Sequence, residues 1–171
     1  MAEAFPYQLV GFLDKEPTVG EPVYNGENGW YAQIALKRRF AIESMTEKEL
    51  FLIVSDYCSS ISPLEIVVGK LAKPERMPVS VLEVEPTDKL LDFHNGFIEA
   101  FGENIKSRFP ERDGNNYYPH ITAEYDGKNV IDTSLYAERT FTLNNVWLLK
   151  DVTDEDSQAY ASFPLSSVVS E

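Results

Sequence analysis

Apolar residues alternate along some stretches of this chain and recur every three or four positions along two others; the change of period divides it into elements. Tyr7 to Leu13 (YQLVGFL) has the length and content of a first strand. Asp14 to Gly29 is broken by glycines and prolines and reads as loop, with a short extended piece at Pro22 to Tyr24. Trp30 to Leu36 alternates: Tyr31, Gln33 and Ala35 share one face, and Ala32, Ile34 and Leu36 the other. Thr46 to Glu49 has capping-box spacing, and Leu50, Ile53, Val54 and Tyr57 follow at helical intervals, so a helix is predicted from Thr46 to about Ser60. Leu64 to Leu71 and Val79 to Val84 predict a hairpin turning through Pro74 to Pro78. Thr87 caps a second predicted helix that runs to about Phe109 on a stripe of Leu90, Leu91, Phe97, Ile98, Phe101 and Ile105. After the polar turn at Pro110 to Asn116 come three strands: Tyr117 to Tyr125, Arg139 to Val152 with a bend at Asn144-Asn145, and Ala159 to Leu165. Val168 to Glu171 is expected to fray.

The order β-β-α-β-β-α-β-β-β implies an α+β fold with antiparallel sheets and flanking helices, not a doubly wound parallel sheet. Neither G-x-G-x-x-G nor G-x-x-x-x-G-K-[ST] occurs, which argues against Rossmann and P-loop nucleotide binding.

The 171 residues, 43% hydrophobic and 25% charged, suffice for a core without disulfides or a structural metal. The formal net charge is -13, from 28 acidic and 15 basic side chains. Such a surface repels long nucleic acid and anionic membranes at a distance while permitting a local basic site. No apolar run approaches the roughly 20 residues that span a bilayer. The N-terminal segment lacks a signal-peptide pattern, so a cytoplasmic monomer is expected. The lone cysteine, Cys58, reads as a buried inert thiol on the first helix, and the acidic run Asp151 to Asp156 as a solvated turn.

Only two histidines are present, and they differ in kind. His94 lies on or beside the apolar stripe of the second helix, where a packed, hydrogen-bonded role is expected. His120 sits in Tyr118-Pro119-His120-Ile121-Thr122-Ala123. In a strand His120 and Thr122 point to one face, where an imidazole that exchanges protons near neutral pH and a hydroxyl donor can hold a phosphate together. By itself H-x-T is a weak signal. Ala32-Gln33-Ile34-Ala35-Leu36 lines up with Pro119 to Ala123: both are strand-like, both centre on Ile, and both follow a tyrosine (Tyr31, Tyr118). Lys37-Arg38-Arg39 directly follows; it is either a solvated strand end or a phosphate-attracting patch. Tyr31 shares the parity of Gln33 and Tyr118 that of His120; these two and Tyr125 either stack on a base or pack between lobes.

These segments resemble the 2H phosphoesterase superfamily, which includes 2'-5' RNA ligase-like proteins and cyclic nucleotide phosphodiesterases, and the resemblance spans about Tyr7 to Leu165. Pro119-His120-Ile121-Thr122 matches the second H-x-T motif. The first, P-H-I-T-L-K in the family, is Ala32-Gln33-Ile34-Ala35-Leu36-Lys37 here: the apolar frame survives and both chemical groups are gone. The resemblance implies two pseudo-symmetric, intertwined lobes over 1–171, facing a shared cleft. It implies metal-independent, cofactor-free chemistry on a cyclic phosphate or 2'-5'-linked nucleotide, such as a short RNA end. His120 and Thr122 are then the catalytic pair, and Gln33, Lys37, Arg38, Tyr31, Tyr118 and Tyr125 the substrate contacts. Gln33 hydrogen-bonds but exchanges no proton near pH 7, and Ala35 does neither. A weakened enzyme and a non-catalytic binding module both remain open.

Overall fold

The computed structural model describes residues 4–24, 29–75, 77, 79–151 and 157–166. Its strands are β1 (Tyr7–Phe12), β2 (Gln33–Ile42), β3 (Leu64–Ala72), β4 (Val81–Val84), β5 (Ile105–Ser107), β6 (His120–Thr122), β7 (Glu124–Tyr125), β8 (Lys128–Asn129), β9 (Thr140–Leu143), β10 (Asn145–Asp151) and β11 (Ser157–Pro164). The helices are α1 (Glu47–Ser59) and α2 (Asp88–Phe101). Eight strands run in the order β11-β10-β1-β2-β6-β4-β3-β9, with β5 added to the free stretch of β2 and β7-β8 a separate hairpin. The pairings are antiparallel throughout the described residues. The sheet is continuous, and its two halves, β2-β1-β10-β11 and β6-β4-β3-β9, meet at the β2–β6 seam.

Both helices cover one face of this sheet. Leu50, Val54 and Cys58 of α1 and Leu90, Phe93, Phe97 and Phe101 of α2 pack with Leu9, Ile34, Leu36, Ile66, Leu82 and Ile121 in the main core. Burial pushes the Cys58 thiol up to about 12, as suits an inert group. The expected capping box holds α1: the Thr46 hydroxyl accepts from the Glu49 N–H at 3.2 Å. Glu47 then ties the same end to three strands, accepting from Tyr7 Oη, Tyr160 Oη and Lys150 Nζ at 2.5, 2.6 and 2.8 Å.

Three elements depart from the sequence pattern. The second helix stops at Phe101, not near Phe109, because Gly102 takes a positive φ of 55° and turns the chain; Ile105, assigned to the helical stripe, belongs to β5 and pairs with Ile42. The run Tyr117 to Tyr125 splits into the three-residue β6 and the start of the β7-β8 hairpin. The bend at Asn144 is a full crossing: β9 pairs with β3, whereas β10 pairs with β1 and β11. Val168 to Glu171 and most of the acidic run lie outside the described residues; its first member, Asp151, holds Arg39 at 2.5 Å.

Candidate functional site

The face opposite the helices is read from strand register. Ile34 of β2 pairs with Ile121 of β6, and both turn into the main core. One step either way in an antiparallel pair sets Gln33 opposite Thr122 and Ala35 opposite His120, all on the other face. The neighbouring strands extend this into two rows, Phe12–Gln33–Thr122–Val81 and Val10–Ala35–His120–Glu83. Positions 33, 35, 120 and 122 therefore form one quadrilateral at the middle of the sheet. Beyond β2 this face is floored by Val10, Phe12, Val23, Tyr31, Trp147, Leu149 and Ala159.

His120 is fixed by its own strand entry. Its Nδ1 lies 2.8 Å from the Tyr118 carbonyl, which can only accept, so Nδ1 carries the proton and Nε2 the lone pair. Tyr118 stacks on the imidazole with centroids 5.3 Å apart, and its hydroxyl donates to Glu83 at 3.1 Å. Desolvation, helped by the nearby positive charges of Arg38 and Arg112, pulls the imidazole down to about 4. At neutral pH the ring is uncharged, with Nε2 available as a base. Thr122 makes no side-chain hydrogen bond among the described residues, so its hydroxyl is also uncommitted. Gln33 is 9% exposed, and neither its Nε2 nor its Oε1 has a partner. A buried primary amide with all its hydrogen-bonding capacity unused is costly to keep.

Behind the quadrilateral, side chains replace the ladder. β6 is too short to pair with β2 past Ile34, and β5 resumes pairing only at Phe40. In the gap the Tyr117 hydroxyl donates to the Ala35 carbonyl at 2.7 Å, and His94 Nδ1–H donates to the Leu36 carbonyl at 2.8 Å. His94 Nε2 accepts from the Gly114 N–H at 3.0 Å, and its ring stacks on Tyr117 at 4.0 Å and 7°. Both nitrogens are engaged, and burial lowers the ring's basicity. His94 is a structural residue of the core, as its place in the helical stripe implies.

Two proposed substrate contacts are not where they were expected. Lys37 is fully buried, not at a cleft mouth: its Nζ bonds Ser107 at 2.8 Å and both Asp113 oxygens at 3.1 Å. The cause is a bulge. Leu9 pairs with Lys37 and the next residue, Val10, with Ala35, so two β2 residues answer one of β1 and the alternation slips. Tyr31 is 4% exposed, packed edge-on to Phe12, with its hydroxyl donated to Glu21; it has no free ring face for a base. Tyr118 and Tyr125, at 39% and 58% exposure, remain accessible, and Tyr125 lies 5.6 Å from the Trp30 ring. Arg38 is half-buried, its guanidinium 6.0 Å from the Phe109 ring centroid. Glu83, Phe109 and Arg112 join the neighbourhood without any signal in the sequence: Glu83 arrives through register, and Phe109 and Arg112 through a loop that reads only as polar turn. Among the described residues no group of three His, Cys, Asp or Glu side chains gathers as a metal site.

No family model matches the chain, and no curated protein does. Solved structures do. A phosphoesterase superposes with a TM-score of 0.60 at 11% identity, covering 96% of this chain and 99% of its own. Escherichia coli LigT complexed with phosphate gives 0.58 at 13%, over 96% and 99%. This chain has the LigT fold. TT0787 of Thermus thermophilus shares it, with a TM-score of 0.55 at 14% identity over 94% and 97%. At such identities the likeness to LigT is one of fold, and the site must be argued from the side chains present. LigT itself has been solved with 3'-AMP and with ATP as well as with phosphate. No helix among the described residues is long and apolar enough to cross a membrane.

Proposed function

We propose that the chain binds a nucleotide through a cyclic phosphate or 2'-5' linkage laid across the β2–β6 seam, and that it opens the ester slowly without a metal. The observation that carries this reading is the register that puts His120, Thr122 and an unsatisfied Gln33 on one face. That LigT, of the same fold, binds phosphate and nucleotides supports it. The Gln33 amide and the Thr122 hydroxyl donate to non-bridging phosphate oxygens. His120 Nε2 takes a proton from water as the water oxygen bonds to phosphorus, and the P–O bond to one ribose oxygen breaks. That oxygen takes its proton from solvent, with no protein acid beside it, because Ala35 stands opposite His120 and Gln33 has no proton to give near pH 7. Losing one of two acid–base groups lowers a rate by about 10²- to 10⁴-fold, which sets the expected deficit.

The same two positions favour a second reading, a binding module with no turnover. Incubation with 2',3'-cyclic nucleotides, alongside His120→Ala, separates them. Hydrolysis lost in the variant supports the weak enzyme. Saturable binding without hydrolysis in either protein supports the module. No binding at all rejects both. Gln33→His combined with Ala35→Thr should raise turnover; an unchanged rate would count against the paired-strand site.

A further inference from the structure

Three arginines surround one aromatic ring beside the quadrilateral. The guanidinium carbons of Arg108 and Arg112 each lie 5.1 Å from the Phe109 centroid, and that of Arg38 lies 6.0 Å away. The architecture brings them there. The gap on β2 between its β6 and β5 partners is bridged by residues 108–117, pinned by the Arg108 N–H to the Arg39 carbonyl at 2.9 Å and by Lys37 on Asp113. Arg38 rises from β2 inside that gap, three residues past Ala35, or ~10 Å along the strand.

Among the described residues none of the three arginines makes an ion pair. Asp113, whose charge reaches Arg38, is already committed to Lys37 and to the Ser107 hydroxyl. In a chain of net charge -13, acidic side chains to neutralise them are abundant, yet among the described residues none pairs with them. Three guanidinium groups sharing one ring face repulsion that cation–π contact only partly offsets. A bound oxyanion removes the repulsion, and the planar forks suit phosphate oxygens in pairs.

We propose that Arg38, Arg108 and Arg112 on Phe109 form a second phosphate subsite, distinct from the His120–Thr122 position, so that the ligand is a nucleotide carrying another phosphate besides its cyclic or 2'-5' one. This rests on the reading given under Proposed function for the first position, and it names the substrate class. A nucleoside 2',3'-cyclic phosphate that also bears a 5'-phosphate is the smallest such molecule.

The test is calorimetric titration of the full chain with three probes: a nucleoside 2',3'-cyclic phosphate, the same molecule with a 5'-phosphate, and inorganic tripolyphosphate. The added phosphate should tighten binding by about ten-fold at low salt. The ratio between the two nucleotides should fall toward one in Arg108→Gln/Arg112→Gln, and further in Arg108→Glu. Arg108 is exposed, so the single variant remains informative should the double variant fail to fold. Equal affinity of the two nucleotides in the unaltered chain, with tripolyphosphate unbound, overturns the subsite and leaves the first position standing. Tripolyphosphate bound in an arginine-dependent way while neither nucleotide binds keeps the subsite and rejects the first position. Silence from all three probes rejects both.

Discussion

Gln33 pays for its position in stability. Two amide atoms sit out of water with no partner, and each such group costs about 1–3 kcal/mol. Gln33→Leu, of similar volume, should therefore raise the urea midpoint while weakening nucleotide binding; a variant that lowers both would mean that the amide has a structural partner after all. His120 makes the complementary case. Its imidazole is held near 4, so the folded protein binds fewer protons there than the unfolded chain, whose histidine titrates near 6.5. The corresponding stability is fully present above about pH 6.5 and is lost as pH falls toward 4. A nuclear magnetic resonance titration should place the ring near 4 in the free protein and higher with a phosphate ester bound, since the anion favours the imidazolium. A free-protein value near 6.5 would show that the ring is solvated and that neither arginine reaches it.

At the scale of elements, most of the pattern is local and some is not. The alternation of Ala32 to Leu36 and the Ile34 and Ile121 centres are visible because a strand buried on one face must alternate. The fate of Lys37 is not visible, because a bulge is decided by how β1 pairs with β2 and leaves no mark on either strand alone. β5 is hidden for a similar reason: Ile105 falls in phase with the stripe of α2, and only the turn at Gly102 separates them. The α1–α2 contact offers a direct test. A Cβ at Gly96 would meet the Tyr57 hydroxyl at 1.9 Å and its ring carbons at 2.6 and 2.8 Å. That ring is wedged against Phe93 and Phe97, and its hydroxyl donates to the Phe93 carbonyl at 3.0 Å. Gly96→Ala should lower the melting temperature, costing about 1–3 kcal/mol, although alanine is the better helix former. A stabilised variant would mean that the tyrosine swings aside freely.

For the whole molecule, the α+β class and the shared face of positions 33 and 120 were legible, because strand parity and core periodicity carry them. The cationic neighbourhood was legible only at Arg38. Arg108, Phe109 and Arg112 read as turn, and their significance comes from a gap on β2 that exists only once β6 ends after three residues. The sequence pointed to Lys37 and Arg38 as the basic contacts; the fold buries Lys37, keeps Arg38 near His120 and adds Arg112.

The crossing at Asn144 links the two halves in time as well as in space. β1 is made first, but its outer neighbour, β10, is among the last strands to leave the ribosome. Until then the run Tyr-Gln-Leu-Val-Gly-Phe offers a bare row of peptide groups to any passing strand, its own or another molecule's. A chain cut after Asn144 should therefore sediment as aggregate when expressed, and adding residues 145–166 as a separate peptide should return part of it to solution.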